Sequence, residues 1–158
     1  ARTEMQGVAG TAMYQWRELS DKDRRAVLLY IQPFSRFPWR AGEPIAVPAE
    51  PPFTMESAKR GAEWYAKLKC DLCHGTTGRG DGPSAATLKD SWDQPIRSTD
   101  LTLGPRYKRG STPRDIYVTF FTGLMGTPMP SYAGTLQNAQ QEWELAHYVY
   151  ARSQGKQP

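Results

Sequence analysis

Long hydrophobic runs are absent from this chain of 158 residues, whose mean hydropathy is −0.65. No apolar segment approaches the roughly 18 residues that a transmembrane helix needs, so the sequence predicts no transmembrane segment. The first residues, Ala1-Arg2-Thr3-Glu4, lack the apolar core of a signal peptide, which is expected of a mature or shortened chain. Length and composition are typical of a soluble protein of one-domain size.

Cysteine and histidine are scarce, with two residues of each. Both cysteines and one histidine fall in the pentapeptide Cys70-Asp71-Leu72-Cys73-His74. Two thiols three positions apart on one helical turn can each add to a vinyl group of haem, and the next residue can present its imidazole to the iron. The spacing predicts one covalent haem c per chain, held by Cys70 and Cys73, with His74 as the proximal iron ligand.

Other chemistries explain this pentapeptide less well. A disulfide between Cys70 and Cys73 leaves the adjoining His74 without a role. A thioredoxin-like redox pair requires a βαβ pattern, which the sequence does not have. A zinc site requires four ligands, and a second Cys or His pair is missing from the sequence.

The residues on both sides of the pentapeptide resemble those of a class I cytochrome c domain. The resemblance rests on the segment Arg60–Cys70, RGAEWYAKLKC, and on the segment Gly75–Pro83, which has four glycines in nine residues. It implies an all-α cytochrome c fold, with helices around a covalently attached haem. The same resemblance implies that the first and last helices cross at Gly61 and that Tyr65 packs between them.

The resemblance also implies roles around the iron. The Pro83 carbonyl is expected to accept the Nδ1 proton of His74 and so to hold the imidazole ring in place. The letters GTPMP around Met129 look like the distal segment of the family, and a thioether suits low-spin haem iron, so Met129 is expected as the second ligand. Met125 is expected to line the haem pocket, and His147 to lie at the surface or in packing.

Local signals predict the helices of this domain. The segment Met55–Lys69 has amphipathic spacing, and Thr54 stands at the capping position. Thr112-Pro113-Arg114-Asp115 combines a capping residue, a proline at the first helical position and an acidic residue, which predicts the start of another helix. The last helix is expected from about Gln140 to Arg152, with Tyr148 at the helix crossing.

The first 32 residues resemble half of a second copy of the domain. Gly7-Val8-Ala9-Gly10-Thr11-Ala12-Met13 matches Gly123–Met129, GLMGTPM, at four of seven positions, and a helix is expected after each. Residues 33–53 contain six prolines and predict an extended linker. We therefore expect the C-terminal half of a truncated or degenerate cytochrome c-like unit in 1–32, a linker in 33–53 and a monohaem cytochrome c domain in 54–158. The whole resembles the C-terminal portion of a periplasmic dihaem cytochrome c.

Positive charge is concentrated in the second part of the chain. The formal net charge is +4, and residues 58–158 hold thirteen Lys and Arg against nine Asp and Glu. Two interpretations stay open, an ordinary solvated surface or a patch that steers an acidic redox partner or anchors the haem propionates. An excess this small does not favour nucleic acid as a partner. The basic residues concerned are Arg97, Arg106, Lys108, Arg109 and Arg114.

The expected His/Met ligation favours an electron carrier over an enzyme. A six-coordinate haem has no open position for a substrate, whereas a peroxidase or sulfur-compound dehydrogenase needs a free or labile one with an acid or base beside it. We therefore expect transfer of single electrons between redox proteins, either as a shuttle or as the cytochrome subunit of a larger oxidoreductase. By family analogy, haem attachment to this motif also implies export to the periplasm.

Overall fold

The computed structural model describes residues 7, 12–34 and 45–158. Within these ranges the secondary structure is helical, and the only β-type pairing is an isolated antiparallel bridge between Lys89 and Pro95. The all-α prediction is therefore confirmed. Across the same residues, no helix is long and apolar enough to cross a membrane.

The chain divides into two units, residues 1–46 and 47–158. In the first unit, helix α1, Asp21–Ile31, begins after Ser20, whose side chain accepts a hydrogen bond from the Asp23 amide. A short 3-10 helix, Gln32–Phe34, follows, and α1 has no buried residue. Most of the segment that resembles Gly123–Met129 and much of the expected linker lie outside the described residues, at positions 8–11 and 35–44. The half-domain and linker assignments therefore stay predictions.

The second unit contains four α-helices and two short 3-10 helices. The α-helices are α2, Met55–Lys67; α3, Asp71–His74; α4, Pro113–Thr122; and α5, Ala139–Ser153. The 3-10 helices are Ala85–Thr87 and Gly104–Arg106. The end predicted for α2 at Lys69 is wrong by two residues, because Lys69 has a φ of 59°, in the left-handed region, and turns the chain toward Cys70.

Side-chain caps explain where the long helices begin. The Thr54 hydroxyl accepts a hydrogen bond from the Ser57 amide at the start of α2. At α4, Thr112 and Asp115 form a reciprocal capping box, at the helix start that the sequence predicts. At α5, the Asn138 side chain accepts from the Gln141 amide. These contacts satisfy amide groups that the first turn of a helix leaves without partners.

Helices α2 and α5 approach so closely that only glycine fits at their crossing. A Cβ atom placed on Gly61 would lie 2.0 Å from the Glu144 carbonyl oxygen and 2.8 Å from the Tyr148 Cβ. In the interface between the two helices, the rings of Tyr65 and Tyr148 pack with centroids 4.9 Å apart. The predicted crossing at Gly61, with Tyr148 against it and Tyr65 in the interface, is confirmed.

Helix α4 completes the core against the other side of α5. The rings of Tyr117 and Trp143 pack with centroids 4.6 Å apart, and the Tyr117 hydroxyl donates to the Glu142 carboxylate over 2.5 Å. Burial, together with this hydrogen bond, raises the pKa of Tyr117 above its ordinary value. The hydroxyl therefore stays a donor at all moderate pH values.

A buried carboxylate joins α2 to α5. The Glu144 side chain is only 4% exposed, and it accepts hydrogen bonds from the Arg60 Nε at 2.6 Å and the Trp64 Nε1 at 2.8 Å. A third donor is the Gln140 Nε2 at 3.1 Å. Burial alone would raise the pKa of Glu144, but these hydrogen bonds and the charge of Arg60 outweigh burial and lower it.

We predict that Gly61→Ala destabilises the second unit by about 3 kcal/mol, because the added methyl group would overlap the backbone of α5. Chemical denaturation followed by circular dichroism measures the loss. The matched control is Ala66→Ser, at an exposed position of the same helix, which should change stability little. Equal stability of Gly61→Ala and the wild type would contradict the close crossing.

We also predict that Glu144 makes stability depend on acid pH. The folded-state pKa is lowered, so its stabilisation is present above the ordinary value of 4.5 and is lost as the pH falls through the lowered value. Glu144→Gln should cost about 2 kcal/mol at neutral pH, and this difference should shrink as the solution is acidified. Urea denaturation at a series of pH values measures it, with the exposed Glu63→Gln as control. A difference that is constant with pH would refute this role.

Candidate haem-attachment site

The two cysteines and His74 lie on one short helical turn. Cys70 precedes α3, and the His74 amide donates to the Cys70 carbonyl over 2.9 Å. Both cysteines are free thiols and are partly buried. The turn therefore presents two thiols and an imidazole from neighbouring positions, which is the arrangement that covalent haem attachment requires.

The Cys70 thiol is poorly suited to redox exchange. Burial raises the pKa of Cys70 to about 12, and the negative charge of Asp71 adds to the effect. Thiol–disulfide exchange requires a thiolate, which this environment disfavours. Conversion of the thiol into a thioether removes the ionisable group, so the environment is compatible with a cysteine that ends as a haem linkage.

The structure gives the Nδ1 atom of His74 a partner other than the expected one. Nδ1 lies 2.9 Å from the Thr99 carbonyl oxygen and 3.0 Å from the Ser98 hydroxyl, so the assignment of the Pro83 carbonyl is wrong. The loop at Pro83 is held differently, through the Ser84 amide, which donates to the Leu72 carbonyl over 2.8 Å. Because a carbonyl only accepts, Nδ1 carries the proton, and the lone pair of Nε2 is free to bind iron.

Burial lowers the pKa of His74, and the hydrogen bond to Thr99 opposes this effect. The net lowering keeps the imidazole neutral, which is the form that binds a metal. The sequence has no signal for Thr99, because the interacting group is a backbone carbonyl that any residue would supply.

The glycine-rich loop behind His74 packs directly against the motif. Gly75 has a φ of 78°, and its carbonyl accepts a hydrogen bond from the Tyr65 hydroxyl over 2.7 Å. A Cβ atom on Gly82 would lie 2.3 Å from the Leu72 carbonyl oxygen. The loop therefore closes on the backbone of α3, which a larger residue at position 82 would prevent.

The loop that contains Met129 is held by its own hydrogen bonds. The Leu124 amide donates to the Met129 carbonyl over 3.0 Å, and the Met129 amide donates to the Thr127 hydroxyl over 3.2 Å. Met129 is partly buried and packs against the same core cluster as Cys70. Met125, in contrast, is 94% exposed, and its expected place in the lining of a haem pocket stays a prediction.

His147 is a packing residue. It is fully buried on α5, its Nδ1 lies 2.8 Å from the Ser57 hydroxyl, and its ring contacts Phe53 edge-on at 5.4 Å. Burial lowers the pKa of His147. From the sequence, His147 is expected either at the surface or in packing, and the structure shows it in packing.

The sequence did not predict the contacts of two residues near the site, Arg109 and Tyr132. The Arg109 Nη1 donates to the Thr122 hydroxyl at 2.9 Å and the Gly123 carbonyl at 3.2 Å, so it anchors the start of the methionine loop. Tyr132 packs against the same core cluster as Cys70 and Met129, and burial raises the pKa of its hydroxyl. Neither role follows from a motif, because both depend on contacts across loops.

The donor set fits haem better than a bare metal ion. Two thiols and one imidazole suit a macrocycle that is attached by thioether bonds and supplies four iron ligands of its own. Among residues 7, 12–34 and 45–158, no group of three or more His, Cys, Asp or Glu side chains could hold a metal ion.

The comparison with protein families decides the class. Residues 56–149, more than half of the chain, match the model of the family described as cytochrome c oxidase, cbb3-type, subunit III. The chain belongs to this family of c-type cytochromes. Its fold is therefore the cytochrome c fold, as predicted, its cofactor is haem c, and its function is electron transfer.

A solved structure supports this cytochrome assignment. A chain from the Kuenenia stuttgartiensis reducing HAO-like protein complex Kustc0457/Kustc0458 is similar to this cytochrome, with a TM-score of 0.87 and 40% sequence identity. The alignment covers 96% of this chain and 69% of that chain. The comparison with curated proteins found no match.

Proposed function

We propose that this cytochrome carries one haem c, attached through Cys70 and Cys73 and ligated by His74 and Met129. The observation that carries the proposal is the single helical turn holding both thiols and His74, with Nδ1 directed to the Thr99 carbonyl. When bound, the haem iron supplies a one-electron couple. The protein supplies the two linkages, orients the imidazole through Thr99 and presents the Met129 thioether from a hydrogen-bonded loop.

The proposed role is an electron carrier. Met129 stands on a loop that is held internally and by Arg109, so the ligand has little freedom to swing away and open a substrate position. An enzyme would need that position together with an acid or base. The similar chain from Kuenenia stuttgartiensis is part of a protein complex, which favours docking on a larger partner in addition to free shuttling.

We further propose that the cytochrome works in the periplasm or an equivalent compartment and docks on acidic redox proteins. Support for the docking comes from the basic stretch, in which every cation is exposed: Arg97, Arg106, Lys108, Arg109 and Arg114. Arg109 also has the structural contacts described above, so its charge is tied to the methionine loop. Lys108 is therefore the better probe of docking.

We predict that the haem stays on the polypeptide after extraction with acidified acetone, because two thioether bonds hold it. Intact mass spectrometry of the extracted chain should show the mass of one haem. Cys70→Ala and Cys73→Ala should each leave at most one linkage, and the double variant should lose its haem to the solvent. Release of haem from the wild-type chain would contradict covalent attachment.

We predict that Met129→Ala removes the weak near-infrared sulfur-to-iron band of the ferric protein and lets cyanide bind readily, because the distal thioether is lost. Met125→Ala is the matched control, since its side chain is exposed four residues earlier in the same loop, and it should keep the band. Loss of the band in Met125→Ala with retention in Met129→Ala would reverse the assignment.

We predict that Lys108→Glu slows electron transfer with an acidic redox protein such as a flavodoxin by about tenfold at low ionic strength. Long-range attraction steers such encounters, so the difference from wild type should diminish as salt is added. Stopped-flow mixing measures the rates, and Lys59→Glu, an exposed cation on α2, is the control. If both variants slow electron transfer equally, the cause is a non-specific effect of net charge, and docking at the basic stretch is contradicted.

A further inference from the structure

A concave site lies behind the haem motif, at the C-terminal end of α5. Its cavity has a volume of about 450 Å³ and is bordered by the glycine-rich loop on one side and the last residues of the chain on the other. This volume falls within the range of small-molecule sites, which runs from roughly 300 to 1,000 Å³. The lining residues that carry charge or a hydroxyl group are Thr77, Arg79, Asp81, Thr102, Arg152 and Lys156.

Three cations line this cavity, and no ion pair in the described chain neutralises them. The ion pairs that the described residues form involve Arg24, Arg60 and Lys89 instead. One carboxylate, Asp81, belongs to the lining. A second carboxylate, Asp100, accepts from the amide and the hydroxyl of the lining residue Thr102, over 2.8 and 2.6 Å. Positive charge therefore prevails among the lining side chains.

Arg152, which lines the cavity, has one hydrogen-bond donor without a partner among the described residues, its Nε atom. Its Nη2 donates to the Thr76 carbonyl over 3.2 Å, and its guanidinium lies 5.6 Å from the centre of the Tyr148 ring. Its Nε atom is buried, and no described group accepts a hydrogen bond from it. A buried donor without a partner is destabilising, so negative charge beside the Arg152 guanidinium would offset part of that effect.

The site is also close to the proposed haem ligand along the chain. Thr76, which Arg152 contacts, is two residues beyond His74, and Thr77 and Arg79 belong to the loop that closes on α3. A negative charge near haem stabilises the ferric state relative to the ferrous state and so lowers the reduction potential. Negative charge in the cavity would therefore be expected to lower the potential of a haem attached at Cys70 and Cys73.

We propose that this cavity binds a small inorganic oxyanion of the phosphate or sulfate class, and that its occupancy lowers the reduction potential of the haem. Arg152, Arg79 and Lys156 provide the charge, and the Thr77 hydroxyl is available as a donor. The potential shift rests on the proposed haem attachment at Cys70 and Cys73, whereas the binding of the anion does not.

The test uses the haem-loaded cytochrome and inorganic phosphate in a zwitterionic buffer with chloride, at constant pH and ionic strength. Calorimetry measures binding, and spectroelectrochemical titration measures the potential. We expect one saturable site and a potential that falls with the same half-saturation. Arg152→Gln and Lys156→Gln should each raise the half-saturation concentration about tenfold, the loss expected for one charge-assisted contact. Lys59→Gln on α2 should behave as wild type.

Several outcomes would overturn the proposal. One is a shift that grows without saturation or that chloride reproduces equally. Another is an affinity for phosphate that neither variant changes. If Arg152→Gln fails to fold, the phosphate affinity of Lys156→Gln alone tests the site. Binding of an oligoglutamate peptide without binding of phosphate would make the cavity a protein-docking surface instead. A chain that binds phosphate but lacks covalent haem by mass would contradict the proposed function and leave the anion site standing.

Discussion

The close crossing of α2 and α5 at Gly61 is the constraint on which the second unit depends. The Glu144 carbonyl oxygen lies 2.0 Å from the point where a Cβ atom would stand, so the helix backbones are in direct contact. This approach brings Arg60 and Trp64 within hydrogen-bonding distance of the Glu144 carboxylate. Because the carboxylate is almost fully buried, its donors are required to offset its desolvation.

Tyr65 connects this crossing to the haem motif. Its ring packs on Tyr148 in the helix interface, its carbonyl accepts from the Cys70 amide over 3.1 Å, and its hydroxyl donates to the Gly75 carbonyl over 2.7 Å. One residue thus holds the chain immediately before and immediately after α3. Burial raises the pKa of Tyr65, so the hydroxyl remains a donor at any moderate pH. The position of both cysteines therefore depends on helix packing at a distance from them.

The sequence predicted the features that depend on local signals or on a residue type that has no substitute. Thr54 and the capping box of Thr112 mark helix starts through contacts three residues away, and Gly61 marks the crossing because no other residue fits. The wrong partner expected for His74 has a physical origin. The partner is a backbone carbonyl, that of Thr99. Any residue supplies such a group, so the identity of the residue does not mark it.

Two cations of the basic stretch, Arg109 and Lys108, differ in their contacts. Arg109 is exposed, yet its guanidinium is committed to Thr122 and Gly123, where it fixes the start of the loop that presents Met129. At His74, the other proposed ligand, the Thr99 carbonyl holds the imidazole ring. Ligands that move little between oxidation states speed electron transfer, so these two contacts would favour an electron carrier if His74 and Met129 bind the iron as proposed. Lys108 has no such contact within the described chain, which leaves its charge available to a partner.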